Sequence, residues 1–211
     1  MLQDISIEEF IKELASEKPT PGGGGAAALS AALSAALNCM VFNFTVGKKV
    51  YENYDKETKK LINSSLEKSD KLKDYFLCGI DKDAEAFSKI INSYKLPQST
   101  EEEKAYRHKC IQEASKFAAK VPEDVANNAR ELFELIWISA KLGNKNLITD
   151  AGAAAIMAEA AIETSILNIK INIGSIEDKE LKARLEKTCR DLLLDSKEWK
   201  DKILSEVYSN I

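Results

Sequence analysis

The chain has 211 residues, 45% of them hydrophobic and 30% charged, which suits a water-soluble globular protein with one sizeable core or two small ones. Its 30 basic and 34 acidic residues are interspersed and leave a net charge of −4, so no basic face for nucleic acid is expected. The four cysteines lie far apart without C-x-x-C spacing and there is one histidine, an inventory that excludes a zinc site and points to reduced, buried thiols in the cytoplasm.

Acids rather than a basic stretch open the chain, which argues against a signal peptide. Ser6 and Glu9 have the spacing of a capping box, with Ile5 and Phe10 as the hydrophobic staple around it. Ile7, Phe10, Ile11 and Leu14 form one apolar stripe of a first helix, which ends at Lys18-Pro19.

Next comes Pro19-Thr20-Pro21-Gly22-Gly23-Gly24-Gly25. Glycine is a poor helix former, so four at a helix entrance cost stability and ask for a reason. Three readings stand: an anion held by free N–H groups at the positive helix end, another backbone packed very close, or a flexible loop. From Ala26 to about Val46 the pattern is apolar on nearly all sides, with Ser30, Ser34 and Asn38 as a polar row at i, i+4. A membrane span is the alternative there. A central helix buried on all faces fits better, because the other helices each have a polar side.

Gly47-Lys48-Lys49 closes that helix, and the two lysines read as helix-end charges or as a clamp for a polyanionic tail. Asp55 to Tyr94 keeps helical spacing through Ile62, Leu66, Leu72, Phe76, Ile80, Phe87 and Ile91, as one long helix or two nearly collinear ones. Thr100 and Glu103 form a second capping box before a stripe of Tyr106, Cys110, Ala114, Phe117 and Val121, which Pro122 is expected to kink or break. Val125 to Ala140 continues to a stop at Gly143-Asn144. Thr149 is a candidate N-cap for a second alanine-rich helix, Asp150 to about Ile173, whose small side chains pair it with the first one. Ser175-x-x-Asp178 starts a last amphipathic helix with Leu181, Leu185, Leu192, Trp199, Ile203 and Val207 inward. With no β-alternation, the fold is all-α: a single domain over residues 1–211, with two central alanine-rich helices surrounded by long amphipathic ones.

Several residues break these patterns. Asp83 falls in the apolar row Phe76, Ile80, Asp83, Phe87, where burial should push its pKa up into the range of acid–base work; the structural account is a buried aspartate held by a salt bridge or a capping bond. Asp150 in a first helical turn reads either as an acid that steadies the helix dipole or as a functional one, and Asn144 after Gly143 as an ordinary helix stop. Asn168 and Asn172, one turn apart, join the serine row as neutral groups that either bond across the helix pair or face a polar heterocycle. Arg107 sits at a stripe border, to meet a carboxylate ligand or pair with Glu103, and His108 is expected to be exposed and without a role.

Taken in order, Pro19-Thr20-Pro21-Gly22-Gly23-Gly24, Gly47-Lys48-Lys49-x-Tyr51, Asp83-Ala84-Glu85-Ala86-Phe87, Glu103-x-x-x-Arg107 with Gln112-Glu113-Ala114, Val121-Pro122, Gly143-Asn144, Thr149-Asp150-Ala151 and Asn168-x-x-x-Asn172 resemble the formiminotetrahydrofolate cyclodeaminase / methenyltetrahydrofolate cyclohydrolase family. Gly25 and Thr149 depart from it, each standing where serine is usual. The resemblance implies an all-helical homodimer acting on a reduced folate, polyglutamylated or not, with no cofactor beyond that substrate, no metal and no membrane. It implies two reactions: closure of 5-formimino-tetrahydrofolate to 5,10-methenyl-tetrahydrofolate with loss of ammonia, placed first, and hydrolysis of the methenyl bridge to 10-formyl-tetrahydrofolate. A non-catalytic folate-binding or scaffold protein is the further alternative. On this resemblance Asp83 is the proton shuttle, with Asp150 beside it. Asn144, Asn168, Asn172 and Arg107 hold substrate, and Gly22, Gly23, Gly24 and Gly25 let it lie against backbone N–H groups.

Overall fold

In the computed structural model, which describes all 211 residues, the chain forms seven helices and no strand. They are α1 (Ile7–Leu14), α2 (Gly23–Asn43), α3 (Lys49–Glu52), α4 (Lys56–Tyr94), α5 (Glu101–Leu142), α6 (Ile148–Ile173) and α7 (Lys179–Tyr208), with 3-10 turns at Leu2–Asp4 and Lys145–Leu147. The all-α bundle expected from the periodicity is what forms. A cluster of 33 buried residues makes the main core, drawn mostly from α2, α4, α5, α6 and α7.

The two alanine-rich helices pack against each other at the centre, antiparallel. Their contact is fixed by two serines: Ser30 Oγ donates to the Met157 carbonyl (2.9 Å) and Ser34 Oγ to the Ala154 carbonyl (2.7 Å). The polar row therefore bonds across the pair, while Asn38 turns to α4 and donates to Ser69 Oγ at 2.8 Å. Alanine makes this closeness possible, and at Gly79 of α4 the fit is tight: a Cβ there would lie 3.2 Å from that of Ala28, which would have to give by a few tenths of an ångström.

Several expectations are corrected. The first alanine-rich helix starts at Gly23, not Ala26, with Gly22 as N-cap. It is not buried on all faces, since Leu33 is 44% exposed and Leu29, Ala36, Leu37 and Met40 are half-buried. Both α2 and the Lys145–Ile173 stretch are long and apolar enough to cross a membrane, yet half or more of each is buried inside the bundle. Pro122 neither ends nor divides its helix: α5 runs unbroken for 42 residues through it. Thr149 is not a cap; α6 begins at Ile148 after Leu147. Asp178, rather than Ser175, caps α7 by accepting from Leu181 N.

In α1 only Phe10 is buried, while Ile7 and Ile11 are exposed, because one face of a short helix meets the core edge-on. Ser6 accepts from Glu9 N there without the return bond, whereas the Thr100–Glu103 box is complete. Tyr106, Ile91 and Tyr94 are exposed too, because the α4–α5 hairpin continues past the ends of α2 and α6. Cys39 and Cys189 are buried, Cys110 half-buried and Cys78 exposed, so not every thiol is shielded.

Candidate active site

At one end of the bundle α2 begins, α6 ends, and α4 and α5 pass alongside. A cavity of about 330 Å³ opens there, lined by Thr20, Gly22, Gly23, Gly24, Asp83, Phe87, Ala118, Asn168, Ile171 and Asn172 among others. A larger groove of about 470 Å³ continues along α4 and α5 past Lys89, Cys110 and Phe117, but it is more open and contains no buried acid. The smaller cavity is the one with chemistry.

Asp83 is its centre. Ile80 and Phe76, one and two turns back on the same face, are buried in the core and fix its direction. One carboxylate oxygen, Oδ2, accepts from the Gly25 N–H at 2.9 Å. Gly25 is the third residue of α2, so Asp83 caps that helix from a different helix, satisfying one of its orphan donors at the positive end of the dipole. Burial nonetheless dominates: the carboxyl pKa is raised above its ordinary value by desolvation, and the Gly25 hydrogen bond offsets this only in part. No cation pairs with it.

This gives the glycine run its reason. A Cβ on Gly24 would stand 2.0 Å from Asp83 Oδ1 and 2.5 Å from its Cγ, inside the carboxyl group itself. The bare backbone admits the acid of α4. Gly23 faces Asn168, whose Nδ2 would be 3.3 Å from an added Cβ, and Gly25 makes ordinary contact with Pro21 and Ile80. The first two N–H groups of α2 have no side-chain cap and border the cavity.

Asn168 and Asn172 line the opposite wall from α6. Asn168 Nδ2 donates back to the Thr164 carbonyl (2.8 Å), and Asn172 Nδ2 donates to the Ala118 carbonyl of α5 (2.9 Å). Ala118 lies four residues before Pro122, whose missing N–H leaves that carbonyl without its helical partner. Asn172 takes the freed acceptor. Pro122 thus orients a cavity residue one turn away, a link that the i, i+4 spacing of Ala118 and Pro122 carries in the sequence. Both asparagine amides have spent a donor on carbonyls, and their Oδ1 atoms accept no bond from the protein. With Asp83 Oδ1, the cavity offers three acceptor oxygens. Phe87 and Ile171, 37% and 76% exposed, add two apolar side chains to its lining.

The other candidates lie elsewhere. Arg107 donates to the Tyr94 carbonyl from Nε (3.3 Å) and Nη2 (3.2 Å), stacks on the Tyr94 ring, and pairs with no acid. Asn144 is a connector between helices: its backbone N–H donates to Thr45 Oγ1 (2.9 Å), its Nδ2 to the Phe44 carbonyl (3.2 Å), and its Oδ1 accepts from Asn146 N. Asp150 is half-buried in the first turn of α6 and makes no hydrogen bond or ion pair. Asn144 is at the far end of α2 from Asp83, about 30 Å away along a 21-residue helix, and Asp150 lies 18 residues from Asn168 on α6, roughly 27 Å along that helix. His108 is exposed as expected, with Glu177 Oε1 2.9 Å from its Nε2.

A half-desolvated carboxylate beside neutral acceptors and open N–H groups can exchange protons with a substrate and hold a delocalised nitrogen cation. The chain is 40% identical to the methenyltetrahydrofolate cyclohydrolase of Methylorubrum extorquens over the whole of both chains. It is 31% identical over 196 residues to the formimidoyltransferase-cyclodeaminase of Rattus norvegicus, covering 93% of this chain but 36% of that longer protein. The crystal structure of formiminotetrahydrofolate cyclodeaminase from Thermotoga maritima superposes with a TM-score of 0.86 at 28% identity, over 99% of this chain and 98% of that one. The family model described as formiminotransferase-cyclodeaminase matches residues 6–191, and the chain belongs to that family.

Proposed function

We propose that the protein is a folate one-carbon enzyme working at the carbon held between N5 and N10 of tetrahydrofolate, and that Asp83 is its proton shuttle. The observation that carries this is the Asp83 carboxyl, raised in pKa without a cationic partner and facing a cavity with two free asparagine acceptors. A 5,10-methenyl bridge is an amidinium cation, and a carboxylate with neutral amide oxygens complements it without quenching the acid in a tight ion pair.

Hydrolysis of that bridge moves ahead of the ammonia-releasing closure that the sequence put first, supported by the higher identity, along full length, to a cyclohydrolase. Asp83 takes a proton from water as the oxygen adds to the bridge carbon. The tetrahedral carbon then collapses: the C–N5 bond breaks with N5 taking that proton from Asp83, the hydroxyl gives up its own proton through Asp83 to solvent as the C=O forms, and 10-formyl-tetrahydrofolate leaves. The second reading, supported by the fold match to a cyclodeaminase, uses the same groups: N10 attacks the formimino carbon, the N10 proton passes to the imino nitrogen, Asp83 adds its own proton there, and ammonia leaves as the methenyl cation forms. Neither reading calls on a cofactor beyond the folate. The working unit is a homodimer in the cytoplasm.

Following the methenyl chromophore separates them. Loss of absorbance from methenyl-folate supports the hydrolase, and gain from formimino-folate supports the deaminase. A silent protein in both assays would overturn the enzyme reading and leave a folate binder.

A further inference from the structure

The residue that holds Asp83 has no side chain. Asp83 Oδ2 accepts from the Gly25 N–H at 2.9 Å, and no other protein donor reaches the carboxylate. Gly25 is the third helical residue of α2, so its N–H has no carbonyl partner within the helix and is free to point at the acid. The need for glycine differs between this position and the one before it. At Gly24 a Cβ would stand 2.0 Å from Asp83 Oδ1, so that space belongs to the carboxyl group. At Gly25 a Cβ would meet Pro21 Cβ at 3.6 Å, and Asp83 Oδ2 and Ile80 Cγ2 at 3.8 Å, all ordinary contact distances. The backbone at Gly25 is helical, and positive φ is confined to Gly47. Neither space nor conformation asks for glycine at position 25, and helix propensity disfavours it. What the missing side chain leaves behind is a carboxylate with one donor.

We propose that Gly25 is a tuning residue for Asp83: its N–H fixes Oδ2, and its missing side chain keeps a second donor away from that oxygen, which sets the pH range over which the acid exchanges its proton. The surroundings make a single donor decisive, because Asp83 is the one titratable group lining the cavity. The charged residues of α5 on either side of Ala118, Lys116 and Lys120, pair with Asp178 and Asp124. Glu163 and Lys170 of α6 do not line the cavity, and the α2 entrance brings no charge to it. On α4 itself Asp81 accepts from the Leu2 N–H at 2.6 Å, Lys82 lies over the Tyr75 ring, and Lys89 pairs with Glu85 at 2.8 Å. Burial and the Gly25 hydrogen bond are therefore what decide the protonation of Asp83. Serine is the smallest change that alters the balance. From a Cβ 3.8 Å away, a hydroxyl one bond further on reaches Oδ2 at a hydrogen-bonding distance of about 2.7 Å. A donor to the charged form favours that form, so the carboxyl should give up its proton at lower pH. Alanine supplies the same Cβ without the donor and separates the hydroxyl from its bulk. The effect on rate rests on the reading of Asp83 as the proton shuttle; the effect on titration does not.

Two measurements on the full chain keep these apart. Carbon-13 carboxyl NMR of aspartate-labelled protein reads the titration directly, with the Asp83 signal identified by its loss in Asp83→Asn. Gly25→Ser is expected to titrate about one pH unit below Gly25→Ala, the worth of one hydrogen bond to a charged oxygen. Both variants should unfold no earlier than the wild type, since each replaces glycine inside a helix. Equal titration midpoints in the two variants, or a serine midpoint above the alanine one, overturn the inference. The second measurement is the pH profile of kcat/KM, again serine against alanine. The limb that Asp83 governs should move down by the same amount: the acid limb in hydrolysis, where it works as a base, or the alkaline limb in closure, where it works as an acid. A midpoint that drops while both limbs stay in place upholds Gly25 as the tuning residue and removes Asp83 as the shuttle. A limb that moves with no change in the Asp83 midpoint overturns the inference, because the hydroxyl would then be acting on something other than this carboxylate.

Discussion

Two carboxylates on neighbouring long helices, Asp83 of α4 and Glu123 of α5, have both lost much of their water and differ in what replaces it. Glu123 is 2% exposed and sits between Arg184 of α7, which donates to both its oxygens, and Lys120 at 3.4 Å. Burial alone would raise its pKa, but the Arg184 hydrogen bonds and the two cations outweigh that and hold it below the usual carboxylate range. Asp83 has a single backbone N–H and no cation, and its pKa goes up. The acid with the less exposed surface is the more firmly ionised one. Burial by itself does not mark a reactive acid; an unbalanced burial does, and in this fold the unbalanced one borders the cavity.

The largest expected effect tests the Asp83 side. Asp83→Asn keeps the shape and can still accept from the Gly25 N–H, yet cannot shuttle protons, so turnover should fall about 100-fold or more with little change in unfolding midpoint. Gly24→Ala should do nearly as much damage by another route. Alanine is favoured over glycine in a helix by up to ~1 kcal/mol, but its methyl would occupy the place of the Asp83 carboxyl. Turnover near wild type in both variants would show that the cavity does not need this acid where it is.

Glu123 should show the reverse profile. Glu123→Gln is expected to cost about 1.5–3 kcal/mol in urea unfolding, the value of hydrogen bonds to a charged group, and to leave KM unchanged. The pH dependences also oppose each other. Asp83 holds its proton more tightly folded than unfolded, so its contribution to stability is full in acid and is lost as pH rises through its raised pKa. Glu123 holds its proton less tightly, so its contribution is present above the ordinary carboxylate pKa and is lost as pH falls through the lowered one. Subtracting each variant's stability–pH curve from that of the wild type should give slopes of opposite sign, falling with pH for Asp83 and rising for Glu123. Two slopes of the same sign would dissolve the contrast.

Much of this was legible before any coordinates. The row Phe76, Ile80, Asp83 is a local property of one helix, and local periodicity survives folding. So do the Thr100–Glu103 cap and the all-α class. The gathering of Asp83, Gly24 and Asn168 from three helices was expected on resemblance, but its steric reason was not: the glycines yield to an aspartate 59 residues further on, a contact no spacing rule contains. Grouping Asp150 and Asn144 with them ignored helix length, since residues at opposite ends of α2 cannot meet within one subunit. The expectation that Pro122 kinks or breaks its helix weighed the lost hydrogen bond and overlooked a side chain from α6 that replaces it and lets α5 run on.

That replacement carries the smallest prediction. Pro122 is buried within α5 and leaves the Ala118 carbonyl to Asn172. In Pro122→Ala the restored N–H competes for the same oxygen. The helix should gain stability, because proline is disfavoured in a helix interior by about 3 kcal/mol, less whatever packing its ring supplied. A carbonyl can accept two bonds, so Asn172 need not be released outright, only held less firmly. Loosening it by ~1 kcal/mol corresponds to roughly a five-fold rise in KM for the folate, with kcat changed less, since Asn172 positions the substrate while Asp83 moves the proton. Asn172→Ala should raise KM at least as far and gain no stability. A Pro122→Ala protein that is more stable with KM unmoved would mean that Asn172 keeps its place without the proline, and that the interruption in α5 serves the helix alone.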